Sequence, residues 1–400
     1  MKIAVVTYAL EVGGVEVFIK NIYNYLNKKG HEVIILETLR VGKWSKLFCN
    51  NGYIVERILP KYCDSRIKHV KAIAKFLNKF DLIILNDAPY GQAALGLLNN
   101  RIVAISVLHN DLNSIINNAI ANCENWDAII AVSPKLLTII ETKYFVKNKT
   151  FCIPNGVEIH DLKKQFKLEE SSLKPLRLIY IGNMNHEQKG IFYLPDIFIK
   201  VKSIFPNVQI DLLGDGVDLK ELKRRFNKIM GSEVCFHGYV ENSTALEILK
   251  ESDALLMPSH FEGLPIVLLE AMSQGVVPVV SLLDGITDFV ITDKLNGRLI
   301  SVGDVQGFVD AILQLATNRD KLKCMSIEAR KTAENRFSYQ VMGKKYLDIS
   351  LELIQKRRIN KSSRNGKIDL KLVGDFPHLP IYLVRPLRKI LKFLGLYKPS

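Results

Sequence analysis

Residues 261–275 read FEGLPIVLLEAMSQG, and VVPVV follows at 276–280. The stretch sets Glu262 and Glu270 eight positions apart, with Gly263 and Pro265 just after the first acid. Leu264, Ile266, Val267, Leu268 and Leu269 are apolar, so most of the remaining positions predict core. The pattern is a strand-to-helix-to-strand junction. Proline near the first helical position pre-sets the backbone, and Gly263 permits close approach of a ligand. A helix starting there aims N–H groups and its positive dipole end forward, where phosphate is the usual occupant. Eight residues of helix from Glu262 to Glu270 advance about 12 Å and turn by about two turns plus 80°. The two acids then cannot share a metal ion, but they reach opposite ends of one elongated ligand. A nucleotide-sugar has suitable dimensions. A dipole-favouring acid plus an ordinary surface acid accounts for the same spacing, and both readings stay open on these residues alone.

The chain of 400 residues is long enough for two domains, each with its own core. With 48% hydrophobic and 24% charged residues, the composition is that of an ordinary globular protein. Cys49, Cys63, Cys123, Cys152, Cys235 and Cys324 are scattered without a C-x-x-C pair. They read as reduced thiols of a cytoplasmic protein, neither zinc ligands nor a disulfide frame. MKIAVVTYALEVGG at the start lacks the long apolar region of a signal peptide, and no apolar run approaches the ~20 residues of a membrane span. The net charge of +14 is unevenly placed: residues 356–400 hold twelve Lys and Arg against Asp369 and Asp375. The body is therefore nearly balanced, which argues against nucleic acid as a partner.

Strand-like runs alternate with helical patterns throughout. KIAVVTYAL, HEVIILET, DLIILN, RIVAISVLHN and DAIIAVS fill the first half, with a helix expected from Glu16 to Leu26. FCIPNGV closes that half, a polar linker follows at 158–175, and LRLIYIGN, VQIDLLGDG, EVCFHGYV, ALLMPS and VVPVVS make the second. Such alternation predicts an α/β protein of two Rossmann-like domains facing a central cleft, with ligands beyond the carboxyl ends of the strands. The expected domains are 1–160 and 172–335, followed by a crossover helix at 336–360 and a basic tail at 361–400.

The strand ends carry the candidate site residues. Gly13 and Gly14 follow the first strand with Glu16 behind them, a pair that lets backbone amides approach an anion, although a plain turn has the same look. Gly182 and Asn183 end the first strand of the second half, and Lys189-Gly190 comes after a polar loop. Lys189 can neutralise a phosphate there, or be a surface lysine. Gly214-Asp215-Gly216 and His237-Gly238-Tyr239 close the next two strands, as passages under a nucleotide or as turns. His109 ends an apolar strand of the first half, placed for a cleft or for a structural hydrogen bond. There is no D-x-D pair, no metal-ligand spacing, no G-x-S-x-G elbow and no P-loop, which disfavours hydrolases and P-loop enzymes.

In order, VGGVE, SVLHND, AVSPKL, IPNGV, IGNMNHEQKG, LLGDG, FHGYV and SHFEGLPIVLLEAMSQGVVPVV resemble the GT-B glycosyltransferases of family 4 over residues 1–355. The last element, with its E-x7-E signature, is the most specific. The resemblance implies a retaining, metal-independent sugar transferase using a nucleotide-sugar donor and no cofactor. It implies that Glu270 binds ribose hydroxyls, Glu262 sits at the donor sugar and Lys189 stabilises the departing diphosphate. Gly182, Asn183, Gly214, Gly216, Gly238, Gly263, Leu264 and Pro265 would line the donor. Gly13 and Gly14 would line the donor and acceptor side, with His109 near the anomeric carbon. Asn183 stands where many relatives carry an arginine clamp, so Arg177 or Lys200 is the compensating cation to look for, or transfer is slower.

The tail, PIYLVRPLRKILKFLGLY at 380–397, mixes aliphatic and aromatic residues with Arg385, Arg388, Lys389 and Lys392. Pro386 near a helix start would place Leu387, Ile390, Leu391 and Leu394 along one side. The helix would then lie on an anionic membrane surface or pack against the first domain. The membrane reading makes the acceptor a glycan or lipid-linked glycan on the cytoplasmic face, in cell-surface polysaccharide synthesis. Rival functions are a non-catalytic, partner-dependent nucleotide-sugar-binding subunit and a sugar-nucleotide epimerase on the same scaffold.

Overall fold

The structure is a computed structural model and describes residues 1–144, 149–160, 174–227, 233–360 and 363–393. The chain divides into two compact units. Unit 1 comprises Met1–Val132, Leu136–Ile153 and Gly343–Ser400, and unit 2 comprises Ser133–Lys135 and Pro154–Met342. Most of the expected linker lies outside the described residues.

Unit 1 is built on seven strands: β1 (Lys2–Thr7), β2 (Glu32–Glu37), β3 (Val55–Arg57), β4 (Leu82–Asn86), β5 (Val103–Leu108), β6 (Ala128–Ala131) and β7 (Thr150–Cys152). Their order is β3-β2-β1-β4-β5-β6-β7, and every pairing is parallel. Ile3, Ala4, Val5 and Val6 of β1 are fully buried, as a parallel strand covered on both faces requires. The helix Gly14–Lys28 follows β1 and buries Phe18, Ile19, Ile22 and Leu26 at helical spacing. The order reverses between β1 and β4, the usual place for a ligand in such a sheet.

Unit 2 repeats the scheme with β8 (Leu176–Ile181), β9 (Val208–Leu213), β10 (Val234–Gly238), β11 (Ala254–Met257), β12 (Val277–Ser281) and β13 (Arg298–Ile300). The order is β10-β9-β8-β11-β12-β13, again all parallel, with Ala254 of β11 opposite Leu178 of β8. One face packs Leu178, Tyr180, Ile210 and Leu212 against the helices Tyr193–Ile204 and Val305–Thr317, while Ile179, Leu213 and Leu255 face Ala245 and Leu249 on the other side. The switch point here lies between β8 and β11. Both sheets are thus Rossmann-like.

Three short strands, β3, β7 and β13, escape a pattern reading because three residues hold too little alternation. The helix expected at 336–360 is in fact broken. One helix runs Arg319–Phe337 and another Tyr339–Asn360, with Ser338 extended between them. The cause is a bridge from the residue after Gly156: Val157 N–H donates to the Phe337 carbonyl at 2.8 Å, and Tyr339 N–H donates to the Val157 carbonyl at 2.9 Å. From Gly343 onward the second helix belongs to unit 1, where a Cβ on Gly343 would stand 2.2 Å from Cγ of Tyr25.

The described tail is packed on unit 1. Arg364 donates to the carbonyls of Asn99 (2.7 Å), Ile102 (2.8 Å) and Asn125 (3.1 Å), which ties the tail to the loops that lead into β5 and β6. Burial and the nearby Arg357 charge lower its pKa to about 10. Arg66 donates to the carbonyls of Val373 and Asp375, and Ser65 bridges Pro380. The helix Ile381–Phe393 starts five residues before Pro386, which lies inside it rather than at its start. Val384 is buried, Leu387 and Leu391 are half-buried, and Tyr382, Leu383 and Ile390 are exposed. Leu394 and the rest of 380–397 lie outside the described residues. Among the described residues no helix is long and apolar enough to cross a membrane.

Candidate active site

Unit 2 gathers its candidate residues at the carboxyl ends of β8 to β11. Gly182 follows β8, and its N–H donates to the Leu213 carbonyl at 3.1 Å. Gly214 follows β9 with φ of 133°, and a Cβ there would lie 1.9 Å from the Gly182 carbonyl oxygen. Its N–H donates to the Gly238 carbonyl at the end of β10 (2.7 Å). Three adjacent strand ends therefore meet through glycine backbone. Gly216 closes the same floor, where a Cβ would fall 2.5 Å from Oδ1 of Asn183.

The chain after Gly182 forms a short helix, His186–Lys189, capped at its start by the Asn185 side chain and at its end by left-handed Gly190. A Cβ on Gly190 would sit 2.0 Å from the Pro258 carbonyl, so this turn lies directly against the loop leaving β11. His260 ties the two loops further. Its N–H donates to the Gln188 carbonyl (2.8 Å), its Nδ1 bonds the Glu187 carbonyl (2.8 Å), and its Nε2 bonds the Tyr193 hydroxyl (3.1 Å).

This contact brings Lys189 to Glu262. Lys189 Nζ donates to both carboxylate oxygens, at 2.7 and 2.9 Å, and Ser259 Oγ donates to Oε1 at 2.8 Å. Glu262 is only 4% exposed. The helix begins at Ile266, so Glu262 lies in the loop before it and not eight helical residues from Glu270. The two acids are therefore not related by helical rotation, as their spacing predicted; a loop that folds Glu262 back toward Lys189 separates them. Glu270 lies on the helix Ile266–Ser273, half-buried, and accepts from Asn242 Nδ2 at 3.3 Å. Gly263, Leu264 and Pro265 are buried, and Asn155 of the IPNGV run donates to the Leu264 carbonyl at 3.3 Å.

Neither expected substitute for a clamp arginine is placed as anticipated. Arg177 is the second residue of β8, about 16 Å along the strand from Gly182. Lys200 Nζ points to Gln306 Oε1 at 3.3 Å. A cation that sequence reasoning missed is Arg225, whose guanidinium lies 4.1 Å from the Phe192 ring centre. Phe192 in turn stacks on His186, whose pKa is lowered by burial and by the charges of His260 and Arg225. Ser259, His260 and Asn242 were also missed. Only a fold that joins distant loops gives them a role, although SHFEG already placed a serine and a histidine beside Glu262.

Unit 1 holds the remaining candidates. Gly13 caps the helix Gly14–Lys28, and Glu16 turns back so that Oε1 accepts the Glu11 N–H at 2.9 Å. Burial raises the Glu16 pKa to about 7. His109 follows β5, with Nε2 3.1 Å from Asn86 Oδ1 at the end of β4 and its ring edge-on to Phe18 at 4.9 Å. Burial lowers its pKa to about 3, so the ring is neutral near pH 7. With Nε2–H donating to Asn86, Nδ1 is left as the acceptor. All six cysteines are free. The spacing of His, Cys and Asp in sequence shows no metal cluster, yet Asp211, Cys235 and His237 meet across β9 and β10.

Two family models match adjoining stretches of the chain. "Glycosyltransferase Family 4" covers residues 12–161, and "Glycosyl transferases group 1" covers 161–332. The N-acetyl-alpha-D-glucosaminyl L-malate synthase of Bacillus anthracis is 26% identical over 92% of this chain and 100% of its own length. The UDP-Gal:alpha-D-GlcNAc-diphosphoundecaprenol alpha-1,3-galactosyltransferase of Escherichia coli is 24% identical over 54% of this chain and 57% of its own. Among solved structures, HepE of Anabaena in complex with UDP and glucose superposes with a TM-score of 0.74 at 18% identity, covering 88% of this chain and 100% of that one.

Proposed function

We propose, from the premise that the chain belongs to glycosyltransferase family 4 and has the GT-B fold, that it moves a sugar from a nucleotide-sugar to a glycan or lipid-linked glycan with retention of anomeric configuration. The observation that carries the reading is the Lys189–Glu262–Ser259 cluster at the switch point between β8 and β11. A cation held there by a buried carboxylate, beside glycine-lined strand ends and the start of the helix Ile266–Ser273, suits a diphosphate.

In the step proposed, the bond from the anomeric carbon to the diphosphate oxygen breaks as the acceptor oxygen bonds to the same face of that carbon. The leaving diphosphate takes the acceptor's proton. Lys189 stabilises the charge that builds on it, Glu262 holds Lys189 in place and lies at the donor sugar, and Glu270 binds the ribose hydroxyls. In unit 1, neutral His109 offers an uncharged hydrogen-bonding ring, and Gly13-Gly14 offer open backbone, to a sugar ligand. The step uses no metal and no cofactor. Uridine is the favoured base, because the E. coli relative is named for UDP-Gal and HepE is solved with UDP.

The same E. coli relative is named for a diphosphoundecaprenol acceptor, which supports a lipid-linked glycan in cell-surface polysaccharide synthesis. Exposed Tyr382, Leu383 and Ile390 beside Lys389 and Lys392 support peripheral attachment to an anionic membrane on its cytoplasmic face. A thermal-shift screen of nucleoside diphosphates and their sugars, followed by turnover with a panel of acceptors, tests the reading. Transfer without added Mg²⁺ or Mn²⁺, giving a product of retained configuration, is expected. Binding without turnover would favour a non-catalytic subunit, and donor isomerisation without acceptor would favour an epimerase.

A further inference from the structure

On the edge strand β10, side chains alternate between two faces. Val234 and Phe236 pack against the larger core cluster of unit 2, which turns Cys235 and His237 to the opposite face. Cys235 stands directly across from Asp211 of β9 in the parallel register. Asp211, Cys235 and His237 therefore converge, with one ligand atom from each lying within 4.8 Å of the other two. His237 Nε2 and Asp211 Oδ1 are already 2.7 Å apart. Asp211 and His237 are half-buried and Cys235 is exposed, so the group is both pre-positioned and open to solvent.

We propose that Asp211, Cys235 and His237 form a binding site for a divalent cation of the zinc class. A thiolate, an imidazole and a carboxylate are a borderline-soft donor set, which favours Zn²⁺ over Mg²⁺ or Ca²⁺. Tetrahedral zinc with bonds of about 2.0–2.3 Å holds its ligand atoms about 3.5 Å apart, so closing the site takes rotation of exposed Cys235 and a small opening of the 2.7 Å His237–Asp211 contact. Binding releases the Cys235 thiol proton, replaces the His237–Asp211 hydrogen bond, with the proton on the other ring nitrogen of His237, and leaves a fourth position for water. The cation joins β9 to β10 at the sheet edge, next to Gly238, whose carbonyl accepts the Gly214 N–H. Its ligands are none of the groups assigned to sugar transfer, so the site stands or falls apart from that function. The competing arrangement is a hydrogen-bonded Asp211–His237 pair with a bystander thiol.

The test uses reduced, full-length protein without a polyhistidine tag, titrated with Co²⁺ and then Zn²⁺. The expected result is one equivalent of Co²⁺ with a thiolate-to-metal charge-transfer band, bleached by Zn²⁺, and a rise in thermal midpoint with Zn²⁺. Cys235→Ser should abolish the band, and His237→Ala should weaken binding at least about tenfold, as loss of one of three ligands implies. Cys324→Ser, an exposed cysteine elsewhere in unit 2, should leave both unchanged. No band in the wild-type protein, or a band that survives Cys235→Ser, would overturn the proposal. The wild-type titration decides the matter even if a variant folds poorly.

Discussion

Lys189 and Glu262, separated by 73 residues in sequence, form a two-pronged contact in which one ammonium nitrogen serves both carboxylate oxygens, at 2.7 and 2.9 Å. Gly190 makes it possible, since any side chain there would collide with the Pro258 carbonyl and push the two loops apart. The acid fixes the cation's position and also neutralises part of its charge. Binding and turnover should therefore respond differently when the pair is altered.

Glu262→Gln keeps a hydrogen-bonding side chain beside Ser259 but removes the anion that holds Lys189. Turnover should fall by roughly 10²-fold, the scale of losing one oriented charge at a developing oxyanion. Affinity for the nucleoside diphosphate should stay level or tighten, because Lys189 is no longer neutralised. Calorimetric titration beside steady-state rates checks this; a tenfold loss of diphosphate affinity would mean that Glu262 itself binds the nucleotide end.

Glu16 gives a pH signature. Burial raises its pKa from 4.5 to about 7, so the folded state holds a proton that the unfolded chain has already released. Its contribution to stability therefore falls as pH rises from 4.5 to about 7, and the full penalty remains above that window. Glu16→Gln, which still accepts the Glu11 N–H, should stabilise the protein by of order 2 kcal/mol at about pH 8 and hardly at all at about pH 4. Chemical denaturation at the two pH values measures the difference.

The tail separates two roles. Arg364→Ala would remove three hydrogen bonds, to the carbonyls of Asn99, Ile102 and Asn125, and should cost about 2–4 kcal/mol of stability. Deleting residues 361–400 would thus damage the fold along with any membrane contact. Ile390→Glu alters a side chain that is 56% exposed and should leave thermal stability unchanged while reducing co-flotation with anionic vesicles. Equal flotation of Ile390→Glu and the wild-type protein would remove the membrane role from this helix.

Much of the fold is legible in the sequence because parallel strands buried on both faces, such as LIILN and VAISVL, read as near-continuous apolar runs. Gly182 and Gly214 are legible for the same reason, since each follows such a run, and Gly238 because it closes a shorter strand-like stretch, EVCFHG. The short strands were hidden by their length, and the break at Ser338 by its dependence on Val157, far away in the chain. Glu262 was legible as a site residue but not its geometry. Helical spacing was assumed where a loop stands, and the partner Lys189 comes from another strand end. Ser259, His260, Arg225 and Asn242 carry no spacing signal of their own, and Asp211 meets Cys235 only through strand register.

The most direct measurement compares single-turnover rate and donor affinity in Lys189→Ala and the wild-type enzyme. If Lys189 stabilises the leaving diphosphate, the rate of sugar transfer should fall by roughly 10²–10³-fold while the donor dissociation constant changes by far less. Weakened donor binding with an unchanged transfer rate would contradict that role.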